Sequence, residues 1–118
     1  MKILKYSDIS PKNLHGSNVY AYLDLADGIV MRTTTMAPGA VREEEKIPAE
    51  HVQLILKGTL CLTDNAGNSH ELHPLDAIGY AAGDYRKMEN IGTEEALILI
   101  VDHGSPHDKW GPGGPQKL

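Results

Sequence analysis

Twelve glycines and seven prolines punctuate this 118-residue chain from end to end. That spacing is the strongest constraint on what it can fold into, because both residues break helices and both serve tight turns. No segment between them keeps a helical period of apolar residues beyond about two turns. What remains are short runs of alternating or β-branched character. They read as strands over residues 2–6, 19–25, 29–36, 52–56, 59–63, 77–80, 86–89 and 97–102. Ala26-Asp27-Gly28 makes a turn, and residues 64–68 (DNAGN) close a hairpin. Eight short strands with closely spaced turns predict an all-β sandwich or barrel.

The length fits one domain, residues 1–118, with the Gly/Pro-rich stretch 104–118 as an extended tail that Trp110 could anchor. Eleven Lys and Arg against sixteen Asp and Glu leave a net charge of −5. An acidic chain of this kind argues against nucleic-acid binding and against docking on anionic lipid. The longest clean apolar run, residues 96–101, has the length of a core strand and falls far short of a membrane span. The N-terminal MKILKYSDIS lacks the apolar stretch of a secretory leader, and the single cysteine, Cys61, allows no internal disulfide. The expected setting is the cytoplasm, with neither nucleic acid nor membrane as a partner.

Two gapped motifs carry a resemblance. The first runs Gly39, five residues, Glu45-Lys46-Ile47, three residues, His51, six residues, Gly58. The second runs Gly83, two residues, Arg86, three residues, Asn90, after a lead-in LHPLDAIGY. In order and spacing they resemble the two motifs of the cupin superfamily, small β-barrels of jelly-roll (RmlC-like) type. That resemblance implies a double-stranded β-helix. It also implies a site where a divalent metal is held by two His and a Glu or Gln from the first motif and a His from the second. Carried over by position, those four sites are Glu45, Ile47, His51 and Arg86. Ile47 has no lone pair and Arg86 stays protonated, so only two of the four can bind a cation. A catalytic metal usually has about three protein ligands. The expectation is therefore a degenerate metal site and no cofactor.

In place of the metal, Glu45 and Arg86 are expected to form an ion pair with His51 beside them. The triplet reads as a structural pair with a core histidine. It reads equally as a site in which Arg86 grips a carboxylate or phosphate and His51 or Glu45 is the catalytic base. Strand alternation turns Gln53 and Ile55 inward with His51, together with either Arg32 and Thr34 or Met31 and Thr33. Gln53 and Tyr80 thus join Arg86 as candidate substrate-binding residues. A divalent metal held by Glu43, Glu45 and His51 is the alternative.

The functional expectation is a protein that binds a small acidic molecule such as a sugar acid, working as a lyase or isomerase by proton transfer. A ligand-binding sensor without catalysis is the second reading, and a metal-dependent enzyme with the rearranged ligands is the third. Small cupins cover their edge strands by pairing, so a homodimer is expected, with residues 2–6 as the strand that is lent. His70, His73 and Cys61 read as surface or packing residues.

Overall fold

The computed structural model describes residues 1–104. Trp110 and the stretch expected as a tail from residue 105 onward lie outside the described residues. Ten strands follow one short 3-10 turn at Tyr6–Asp8: β1 (Lys12–Leu14), β2 (Ser17–Tyr22), β3 (Ile29–Met36), β4 (Val41–Glu44), β5 (His51–Lys57), β6 (Leu60–Thr63), β7 (Ser69–Leu72), β8 (Ala77–Tyr80), β9 (Arg86–Asn90) and β10 (Ala96–His103). They form a six-stranded sheet in the order β1-β2-β3-β10-β5-β8 and a four-stranded sheet in the order β4-β9-β6-β7. Every strand pairing is antiparallel, and the architecture is the expected jelly roll. Among the described residues no helix is long and apolar enough to cross a membrane.

The core follows from the period of two along each strand. In β10, Ala96, Ile98, Ile100 and Asp102 are buried, and the residues between them are only partly covered. Met36, Ile55, Leu60, Leu62 and Met88 join the first three to make the main apolar cluster between the sheets. One end of the barrel is thus filled with aliphatic side chains. At the other end the inward positions turn polar: Arg32 in β3, Gln53 and His51 in β5, Asp102 in β10 and Arg86 in β9.

Two groups of expectations need correction. Residues 2–6 form no strand, since the chain there leads into the 3-10 turn and the Tyr6 ring stacks 4.5 Å from that of Tyr20. Three strands went unforeseen, β1, β4 and β7. Their sequences, KNL, VREE and SHEL, are too short and too polar to show a period-two apolar signal.

Gly58, which closes the first motif, has φ +96° in the turn between β5 and β6. A Cβ there would sit 2.8 Å from the Ala96 Cβ and 2.9 Å from its Cα. Strain and backbone overlap act together, so Gly58→Ala is expected to destabilise the fold by about 3 kcal/mol or more. Gly67 has φ +81° with open space around it. Gly67→Ala is expected to cost only the strain, about 1–2 kcal/mol. Urea denaturation of the two variants checks the difference, and equal losses would show that the Ala96 contact is not limiting.

Candidate functional site

The polar end of the barrel opens on a cavity of about 430 Å³. Strand register decides which side chains reach it. β10 pairs with β3 and β5 so that Arg32, Ile100 and Gln53 lie in one cross-strand row and Val30, Asp102 and His51 in the next. Tyr80 of β8 continues that second row beside His51. Of the two alternatives left open for β3, the pair that lines the cavity is Arg32 and Thr34. From the four-stranded sheet come Arg42 and Glu44 of β4 and Arg86 and Met88 of β9, with Lys46 just beyond β4.

The expected Glu45–Arg86 pair is a Glu44–Arg86 pair. Arg86 Nη2 donates to Glu44 Oε1 at 2.9 Å, with the Arg86 side chain only 8% exposed. Glu45 is exposed and does not line the cavity. Glu43 is exposed as well and accepts from the Tyr85 hydroxyl at 2.6 Å. The reason is the alternation of β4, which turns 42 and 44 inward and 41 and 43 outward. Ile47 is buried and packs away from the cavity, its backbone bonded to Asp84 and Gly83. A second ion pair, Arg32 Nη1 to Asp102 Oδ2 at 3.0 Å, lies across the cavity wall. Both partners are buried, and the sequence reading had not singled out Asp102 or Arg42. The available signal for Asp102 was a charged residue at the end of an apolar run, whereas Arg42, in the polar strand β4, gave none.

His51 is positioned from both sides. Its Nδ1 donates to the Ala49 carbonyl at 2.9 Å, since a carbonyl can only accept, and its Nε2 faces the Gln53 amide nitrogen at 3.2 Å. The ring stacks against Tyr80, centroids 4.9 Å apart. Burial pulls the His51 pKa below its ordinary value, outweighing the Ala49 bond. Burial likewise lowers Arg32 to about 10 and lowers Arg42, where the nearby Arg86 charge adds to the effect. Tyr80 is buried and does not line the cavity, but its ring lies 5.6 Å from the Arg86 guanidinium carbon and forms the wall behind the site.

The cation count is the decisive feature. Arg32, Arg42, Lys46 and Arg86 line the cavity against two carboxylates, Glu44 and Asp102, and each carboxylate is engaged by an arginine. Among the described residues Arg42 and Lys46 have no ion pair or hydrogen bond of their side chains. Such a lining does not suit a divalent metal. One residue off the motif frame, the side chains that reach the cavity are Glu44, Lys46 and His51, joined by Arg86 from the second motif, so two of the four are cations. Among the described residues no three His, Cys, Asp or Glu side chains are grouped, and the rearranged set Glu43, Glu45 and His51 is not assembled.

The cupin domain profile matches residues 32–102, more than half of the chain. The chain belongs to the cupin family. No curated protein matches this cupin in sequence. Solved structures share the fold. The polyketide cyclase RemF from Streptomyces resistomycificus has TM-score 0.76 and 19% identity, over 87% of this chain and 79% of that one. A sugar phosphate isomerase of the cupin superfamily from Silicibacter pomeroyi has TM-score 0.75 and 18% identity, over 89% and 77%. An RmlC-like cupin from Shewanella frigidimarina has TM-score 0.74 and 9% identity, over 92% and 95%.

Removing one member of a buried ion pair strands the other. Glu44→Gln is expected to cost about 3 kcal/mol, and Glu45→Gln less than about 0.5 kcal/mol. Chemical denaturation of both variants checks the one-residue frame. His51 gives a pH signature. Its unfolded pKa is 6.5 and its folded value lies below that. As pH falls through 6.5 the unfolded chain takes up the proton first, so stability drops between 6.5 and the folded pKa and is unaffected above 6.5. In His51→Gln that part of the melting-temperature profile is expected to flatten, and an unchanged slope would assign it to other groups.

Proposed function

We propose that this cupin binds a small organic acid in its barrel and moves a proton on it without a metal. The observation that carries the reading is the surplus of cationic side chains in the cavity, two more than its carboxylates. The concave, partly apolar chamber strengthens the charge of the half-buried Arg42, while Lys46 stands exposed at its mouth. Arg42 offers a planar donor fork for a carboxylate. Arg86 holds Glu44 in place and adds to the field, instead of gripping the anion alone. His51, neutral near pH 7, is the candidate base, and Gln53 orients it. Two of the neighbours on this fold are named as enzymes, a cyclase and an isomerase.

Binding without turnover is the second reading. It is favoured by the Gln53–His51 contact, which occupies the Nε2 lone pair that a base would use. Turnover then requires Gln53 to release Nε2.

Small carboxylates at millimolar concentration are expected to raise the melting temperature of the wild type. The effect is expected to weaken with salt, to vanish in Arg42→Gln and to survive in part in Arg42→Lys. No stabilisation by any acid would sink the reading. For acids that do bind, mass spectrometry after incubation in D₂O separates the two forms. Deuterium entering a carbon-bound position next to the carboxylate, lost in His51→Gln, supports catalysis; binding with no exchange supports the sensor reading.

A further inference from the structure

The cavity has two zones of different chemistry. Around its polar end lie the charged residues and His51. Its floor is made by Met36, Met88, Ile98 and Ile100, at most 4% exposed and all members of the main apolar cluster. Between the zones lie two buried polar atoms without a partner among the described residues, Thr34 Oγ1 and Gln53 Oε1. Thr34 is 4% and Gln53 3% exposed, and both residues line the cavity.

A polyhydroxylated acid fits this arrangement poorly. Each hydroxyl that enters the chamber gives up its bonds to water and needs a replacement. The floor offers none, and the intermediate zone offers two. A sugar acid that reached from the polar end to the floor would leave the hydroxyls lying against Met36, Met88, Ile98 and Ile100 unsatisfied. An acid with an apolar body has the opposite balance, since its ring or chain replaces water against the floor. Two of the four floor residues are methionines. Their thioethers are flexible enough to close around a flat body and make favourable contacts with the edge of an aromatic ring.

We infer that the ligand is an aromatic carboxylic acid, its carboxylate held at Arg42 and Lys46 and its ring set on Met36 and Met88. At most one or two hydroxyl or carbonyl groups are left for Thr34 and Gln53. This rests on the anion-binding reading above and names the chemical class that the sequence had left at an acidic molecule such as a sugar acid.

The test uses the unmodified protein with ¹³C-methyl-labelled methionine, its two floor signals assigned through Met36→Leu and Met88→Leu. Cinnamate and galacturonate serve as probes, each followed by calorimetry and by methyl spectra. The expected result is at least tenfold tighter binding of cinnamate, with both floor methyl signals shifted and the signal of Met31, which is not part of the floor, unmoved. Galacturonate binding as tightly as cinnamate or more so would overturn the aromatic assignment and leave the anion reading standing. Cinnamate binding with the floor methyls unmoved would overturn it too, because the ring would then lie elsewhere. Failure of both acids to bind would overturn this assignment together with the anion reading.

Discussion

Strand β10 is hydrogen-bonded along both edges, to β3 on one side and β5 on the other, and that double register governs everything inside the barrel. It puts Ile98 opposite Thr34 and Ile55, Ile100 opposite Arg32 and Gln53, and Asp102 opposite His51. A slip of one residue would exchange these side chains for Leu97, Leu99 and Val101 and empty the cavity of its chemistry. Both faces of β10 are apolar from 96 to 101, so aliphatic packing alone does not choose the register; the close fit of Ala96 against Gly58 at one end and the Asp102–Arg32 pair at the other do. Stability and site geometry are therefore two consequences of the same alternation.

The charges follow from that placement. An arginine pointing into the barrel cannot escape its cost by losing a proton near neutral pH, even where burial draws its pKa down to about 10 as it does for Arg32. It must be paired, and the fold supplies one carboxylate for each of the two deepest guanidinium groups: Asp102 for Arg32 and Glu44 for Arg86. These pairs consume the negative charge of the cavity. Arg42 shares a face of β4 with Glu44, so the alternation that delivers a partner to Arg86 delivers a further cation beside it. The positive surplus results from the geometry of one strand and is not spread over the whole acidic chain.

Much of the fold was legible because its long strands carry an apolar period. Residues 29–36 and 77–80 match strands of the structure end to end, and the turn at Gly58 was readable from glycine alone. Strands β1, β4 and β7 were not legible, because polar outward residues leave them no pattern. That failure propagated to the site. Without β4, the motif spacing pointed to Glu45, and the alternation that turns Glu44 inward was not visible. His51 and Arg86 were legible from their motif positions, and Gln53 from strand alternation counted from His51. Asp102 ends an apolar strand and was readable in the same way, but a single acid at a strand end gives no hint of its partner. The Arg32–Asp102 contact depends on a pairing between residues seventy positions apart, which only the sheet order supplies.

The side chains that reach the cavity from the two motif regions are Glu44, Lys46, His51 and Arg86, and on the proposed reading they set the electrostatic logic of the chamber. With a metal, the protein supplies donors and the ion supplies positive charge. On the proposed reading, guanidinium and ammonium groups let the protein supply the positive charge itself, available to a ligand without an intermediary. The same charges bear on the retained histidine. Burial is the main reason that His51 loses proton affinity, Asp102 works against the loss, and Arg32 and Arg86 add to it. On the proposed reading, ligand binding and proton uptake at His51 are linked through one field, so that a bound acid would raise the proton affinity of the histidine.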